Sequence, residues 1–176
     1  MCGGEAVGLK DGMIDFWEND ICEGHNRKIN RAIIKASRLW HKGTFFSRLR
    51  SISLSRKTFR RSGCEVYPQA LLQDDLYIPH CVGIVVGSTA VIGKGCKIFP
   101  NVVFGAAHSP TRENEIGRRH PKVGDNCVFG AGSSIIGKIT IGNNVTVGAG
   151  AVVTKDIPDG AIVVGVNKII GYQAQK

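Results

Sequence analysis

From Val86 onward an aliphatic or aromatic side chain returns every six residues. The series runs Val86, Ile92, Ile98 and Phe104 and resumes, after an interruption, as Val123, Phe129, Ile135, Ile141, Val147 and Val153. Glycine follows at Gly87, Gly93, Gly105, Gly124, Gly130, Gly142 and Gly148. Four positions after each aliphatic comes a small or β-branched residue, such as Ala90, Cys96, Val102, Cys127, Ser133, Val145 and Ala151. Val66, Leu72, Ile78 and Ile84 keep the same period in another phase. An α-helix repeats every ~3.6 residues and a strand alternates, so neither carries a period of six. A left-handed parallel β-helix does, with one hexapeptide per face of a triangular coil and three faces per turn. The aliphatic points into the prism, the small residue fits beneath it, and glycine sits near the corner, where backbone freedom helps. About five coils fit between Glu65 and Val166.

The interruption is informative in its own right. Residues 106–122 are polar, contain Pro110 and Pro121, and carry His108, Arg112, Glu113, Glu115, Arg118, Arg119 and His120. A β-helix accepts an insertion only at a corner, so a projecting loop is expected, able to reach a neighbouring subunit and close over a ligand.

Charge divides the chain. The net charge is +9, and Gly24 to Ser62 holds twelve Lys/Arg with no Asp or Glu. From Gly63 to Lys176 there are ten basic and eight acidic residues. In the basic part Ile29, Ile33, Ala36 and Trp40, then Phe45, Phe46, Leu49 and Ile52, recur at helical spacing. Helices are expected over 13–23 and 27–60, broken near Gly43, with Asn26 or Asn30 capping the first turn. The organisation read from this is a basic α-helical segment over 1–63, a β-helix over 64–166 with its loop at 106–122, and a short tail over 167–176. The helical segment either docks on the prism through its apolar face or uses its charge on an anionic membrane surface or polyanion. No nucleic-acid-binding motif is present. The longest uncharged apolar run, Cys81–Val86, is far short of a membrane span, and the start of the chain lacks the pattern of an export signal, so a cytoplasmic location is expected. The six cysteines form no C-x-x-C pair and are expected to be reduced, half-buried and not zinc ligands.

The stretches His80-Cys81-Val82-Gly83-Ile84-Val85-Val86-Gly87, Arg119-His120-Pro121-Lys122-Val123 and Gly148-Ala149-Gly150-Ala151-Val152-Val153 resemble the hexapeptide-repeat acyltransferases, most closely the serine O-acetyltransferases. The likeness runs from Glu65 to about Gly171. It implies transfer of acetyl from acetyl-CoA to a small hydroxyl acceptor, as in cysteine biosynthesis, with no metal, in a homotrimer. The family's D-I-H-P motif is matched by Glu65-Val66-Tyr67-Pro68, fifteen residues before His80, so the resemblance makes Glu65 and His80 the catalytic pair. It places Arg119 and His120 at the acceptor. It also lines the coenzyme groove between prisms with Gly105, Ala106, Ala131, Gly132, Ala149 and Gly150, with Lys155 or Lys168 toward the phosphates. Where the family has an Asp before the base, this chain has Pro79.

His108-Ser109-Pro110 and Ala151-Val152-Val153-Thr154-Lys155-Asp156-Ile157-Pro158 resemble instead the sugar and antibiotic O-acetyltransferases of the same fold, whose base lies in the projecting loop. The compact basic helices are similar to those of short acetyltransferases of exopolysaccharide synthesis. A sugar acceptor, with His108 as rival base, therefore stays open. So does a silent or zinc-binding scaffold using His80, His108 and His120. The chemistry favours a histidine: an alcohol needs a base near neutral pH, and a carboxylate on the far ring nitrogen fixes the tautomer. Backbone N–H groups near Gly105 and Ala106 would hold the oxyanion.

Overall fold

The computed structural model describes residues 23–107 and 117–172. Two helices, α1 (Glu23–His41) and α2 (Phe45–Ser62), precede a three-faced parallel coil. The first face stacks Glu65–Val66, Val85–Val86, Val103–Gly105, Ser134–Ile136 and Val152–Val153. The second stacks Leu71–Leu72, Val91–Ile92, Lys122–Val123 and Thr140–Ile141. The third stacks Lys97–Ile98, Val128–Phe129, Thr146–Val147 and Ala161–Val164, with Tyr77 bridging below. The coil is a left-handed β-helix of five turns, as its period predicts.

The inward positions of the repeat are the core. Ile92, Ile98, Phe104, Phe129, Ile135 and Val153 are fully buried, and Phe104 meets Phe129 edge-on at 4.9 Å. The six-residue beat slips only where the register does. Tyr77 pairs with Lys97 and Glu65 with Val85, but Val85 pairs with Val103, so the first coil holds 20 residues and the second 18. The two extra residues lie between Tyr77 and Val85, at the corner that carries His80. This accounts for the change of phase between Ile84 and Val86.

The repeat glycines have a different cause from the one their position suggests. Among the described residues, none of Gly87, Gly93, Gly105, Gly124, Gly130, Gly142 and Gly148 has positive φ. They are small because the next coil is close. A Cβ on Gly130 would lie 2.5 Å from Ala149 N, and one on Gly87 would lie 1.9 Å from the Cδ2 of His120. Positive φ belongs to the corners proper, at Gly83, Gly95, Gly132 and Gly150 and at Asn101, Asn126, Asn144 and Asn167. Asparagine tolerates this region better than other side chains do.

The first coil has no coil below it, and α1 and α2 take that place. Ser37 Oγ donates to Ala70 O (2.6 Å), Asn30 Nδ2 to Leu76 O (2.9 Å), Asn26 Nδ2 to Pro79 O (2.7 Å) and Ser55 Oγ to Val66 O (2.7 Å). Four main-chain carbonyls of an otherwise open sheet edge are thereby satisfied. Asn26 and Asn30 are thus not caps: α1 begins at Glu23, and both side chains reach outward to the coil. Ile29, Ile33 and Ala36 are buried as their spacing predicts and Trp40 is half-buried, while Ile29 and Ile33, joined by Ile34, enter the core cluster of the prism.

The break falls at Gly43, in the left-handed region, and Thr44 caps α2 by accepting the Ser47 N–H. Gly63, also left-handed, ends α2 and returns its N–H to Phe59 O at 2.8 Å. The apolar stripe expected to dock α2 does not do so. Ser47, Ser51 and Thr58 are its buried residues, while Phe45, Phe46, Leu49 and Phe59 are exposed. At the other end of the prism, Lys168–Tyr172 pairs antiparallel with Ala161–Val164, so the segment expected as a tail is a covering strand as far as Tyr172. The helix expected over 13–23 lies outside the described residues except for its last position.

Candidate active site

A prism has three edges, and each here is chemically different. The edge between the second and third faces is an Asx ladder. Lys94 N donates to Asp125 Oδ1, Asp125 N to Asn143 Oδ1 and Asn143 N to Asp159 Oδ1, at 2.7 to 2.8 Å. Its side chains are spent on main-chain amides, so this edge is structural.

The edge between the third and first faces carries His80. Above it stand Pro100–Asn101, Ala131–Gly132 and Ala149–Gly150, joined coil to coil: Asn101 N donates to Val82 O, Gly132 N to Pro100 O and Gly150 N to Ala131 O, at 2.9 to 3.0 Å. Four of the residues expected to line a coenzyme groove therefore share one column with the expected base, one coil spacing of ~4.8 Å per step. Nothing larger than Ala131 and Ala149 stands out from the two upper corners of this column.

His80 is exposed, and its main chain is held on both sides by one α1 side chain. Asn26 Nδ2 donates to Pro79 O, and Cys81 N donates to Asn26 Oδ1 at 3.4 Å. Sequence reasoning offered Asn26 only as a helix cap, and nothing in the sequence signals its bonds to Pro79 and Cys81. Cys81 is no nucleophile: burial, with Cys64 nearby, pushes its thiol up to about 12. Cys64, Cys96 and Cys127 are likewise free and fully buried rather than half-buried.

Glu65 is exposed on the first face of the lowest coil, where its N–H donates to Ile84 O at 2.8 Å. Its carboxylate neighbours the Tyr67 phenol and raises the phenol's pKa, by hydrogen bonding first and by charge second. Among the described residues no hydrogen bond joins Glu65 to His80. Glu65 and Tyr67 instead open into a cavity of about 550 Å³ between α2 and the prism, whose walls include Arg56, Phe59, Arg60 and Gln69. The Oε1 of Gln69 is buried there without a partner.

The third edge, between the first and second faces, is where the chain leaves after Gly105 and returns at Lys122. It carries Gly105, Ala106, Arg119 and His120, with Lys155 exposed higher up; His108 lies outside the described residues. Arg118 Nη1 ties the returning strand by donating to His120 O (3.0 Å) and Ile139 O (2.8 Å). Arg119 projects to solvent. His120 is buried against Gly87, and its Nδ1 accepts the Thr89 N–H at 3.2 Å. Thr89 Oγ1 accepts the N–H groups of Arg119 and His120 and lies 2.8 Å from the same Nδ1, to which its own hydrogen donates. Nδ1 therefore carries no proton and the neutral ring holds its hydrogen on Nε2. Burial, then the Arg119 charge, lowers the His120 pKa below its ordinary value. His120 is a fixed neutral donor. Thr89 was not singled out from sequence, and nothing in the repeat marks it.

His80 and His120 thus stand on opposite edges of the first face. So do the two halves of the expected coenzyme lining: Ala131, Gly132, Ala149 and Gly150 with His80, and Gly105, Ala106 and Lys155 with His120. Lys168 lies exposed on the covering strand of the third face.

Residues 120–155 match the family described as bacterial transferase hexapeptide (six repeats). Over 113 residues the chain is 38% identical to a serine acetyltransferase of Synechococcus elongatus, covering 64% of this chain and 44% of that protein. Over 134 residues it is 36% identical to one of Mycobacterium tuberculosis, covering 76% and 55%. Among solved structures, serine acetyltransferase of Brucella abortus in complex with coenzyme A superposes with a TM-score of 0.74 at 28% identity, over 89% of this chain and 59% of that one. The Neisseria gonorrhoeae enzyme in complex with serine gives 0.70 at 30% identity, over 90% and 66%. The chain spans about half the length of the curated relatives it matches.

Proposed function

From a chain that is a serine acetyltransferase-like member of the hexapeptide-repeat proteins, we propose an acetyl-CoA-dependent O-acetyltransferase with His80 as general base. The observation that carries this reading is the column on the His80 edge. A histidine open to solvent shares its edge with the small corners Ala131–Gly132 and Ala149–Gly150, Pro100–Asn101 standing between, and a pantetheine arm needs small residues along which to approach the base. That a relative binds coenzyme A supports the same assignment.

The chemistry follows directly. The acceptor hydroxyl gives its proton to His80 as its oxygen attacks the thioester carbonyl. The tetrahedral oxyanion collapses, the C–S bond breaks, and the leaving thiolate takes the proton back from the imidazolium. Glu65 serves His80 once the Tyr67 phenol yields its carboxylate. His120, with Nε2–H always available, donates to an acceptor oxygen and does not compete as a base. Its place across the first face calls for a neighbouring copy to complete the site, which supports a homotrimer with three shared sites.

Serine is the acceptor that the relatives favour. A second reading, an acidic sugar hydroxyl, is favoured by two observations. Pro79 offers no carboxylate to an α-ammonium group, which is costly to bury unpaired. The cavity beside Glu65 presents Arg56 and Arg60, which suit an anion. Steady-state kinetics decide between them. A kcat/KM for L-serine at or above ~10⁴ M⁻¹s⁻¹ fits a serine enzyme, whereas a far lower value with efficient turnover of a uronic acid fits the second. In either case His80→Ala is expected to lower kcat by ~10²–10⁴-fold. Full activity in that variant would remove His80 as the base.

A further inference from the structure

We propose that the outward face of α2 docks on an anionic lipid bilayer. The helix is amphipathic the wrong way round for a part of a globular core. Ser47, Ser51 and Thr58 face the molecule, and Ser51 Oγ donates to Ala36 O at 2.6 Å. Phe45 and Phe46 are 70% and 76% exposed, and Leu49 and Phe59 stand out with them. At 100° per residue, Phe45 and Leu49 project opposite the buried serines (about 3.6 residues complete a turn), while Arg56, Phe59 and Arg60 border the cavity beside Glu65 further along the helix. The half-buried Trp40 flanks this face, with the Arg48 guanidinium 5.3 Å from its ring centre.

Charge selects the occupant. Arg48, Arg50, Arg56, Lys57, Arg60 and Arg61 all lie on α2, which has no acidic residue. Against a second copy of this chain, six cations would face six more, so self-association through this face is opposed. Exposed Phe and Leu among Arg and Lys is the pattern of a helix lying in a lipid interface, its rings in the acyl boundary and its cations at anionic headgroups. An acidic protein groove would match the charge, but nothing complementary is needed to receive rings that stand out from a convex helix. Because α1 and α2 cover the first coil, every copy in a three-fold assembly would present α2 at the same end, multiplying weak contacts.

Vesicle co-sedimentation tests this without any measurement of activity. The full chain is mixed with phosphatidylcholine vesicles and with vesicles containing about 30 mol% phosphatidylglycerol at low salt. It should pellet with the second and not the first, and should be released by ionic strength near 0.5 M, where the screening length falls to a few ångströms, roughly 4 Å. The triple variant Phe45→Ser, Phe46→Ser, Leu49→Ser, checked for retained secondary structure and thermal unfolding, should bind about tenfold less. So should a second variant, Arg50→Gln, Lys57→Gln, Arg61→Gln, whose side chains are exposed on α2 away from the cavity. Failure of the wild-type chain to pellet with anionic vesicles overturns the proposal. So does unchanged binding in both variants, or a fall in assembly mass in the triple variant, which would make this face a contact between copies.

Discussion

The charge on His120 is decided by two donors. The Thr89 N–H and hydroxyl both point at Nδ1, so protonating that nitrogen forfeits both bonds in a buried place. The unfolded chain has neither constraint and titrates near ~6.5. As pH falls the unfolded state takes its proton first, so the contribution of His120 to stability is full above ~6.5 and is lost as pH falls toward the lowered folded value. Replacing His120 by Gln should therefore cost most at about pH 7.5 and distinctly less at about pH 5.5. Thermal unfolding of both proteins across that range measures the gap. A gap that stays constant with pH would mean that Thr89 does not hold the ring neutral.

At the scale of elements, the first coil and α1 depend on one another. Asn26 and Asn30 make comparable bonds to coil carbonyls, and losing either leaves a partly buried carbonyl unmet, worth ~1–3 kcal/mol. Asn26→Ala and Asn30→Ala should thus lower stability alike. Only Asn26 brackets His80, from Pro79 to Cys81, so only Asn26→Ala should also lower kcat, with KM for acetyl-CoA little changed. Equal kinetics in the two variants would reduce Asn26 to a structural bond. The β-helix was legible in the sequence because a period of six has one structural solution, and its inward residues are the ones the period names. The helices were less so. Ile29, Ile33 and Ala36 are buried as their spacing indicates, but Phe45, Phe46 and Leu49 have the same kind of spacing and face outward. Spacing shows that residues share a face, not which way the face turns. That was settled by Ser51 and Ser55 finding main-chain carbonyls at Ala36 and Val66. For the candidate site the sequence offers residues but not their places. His80, Glu65 and His120 were named, yet the pairing of faces, which puts His80 and His120 on opposite edges, depends on where two extra residues and a long insertion interrupt the coil.

The whole molecule turns on that separation. Within one chain the first face lies between His80 and His120, and a rigid coil cannot bring its two edges together. Three parallel prisms packed around an axis would bring the His80 edge of one copy against the His120 edge of the next, closing after three copies. Complementation tests this. His80→Ala and His120→Gln, each nearly inactive alone, are unfolded together and refolded at equal ratio. If each site takes His80 from one copy and His120 from its neighbour, random assembly restores both residues in about a quarter of the sites. Recovery to about that fraction of wild-type kcat, rising with time of subunit exchange, is expected. If both residues served within one chain, no mixture of the two variants could regain activity, and a monomer mass by light scattering would equally rule out a site shared between copies.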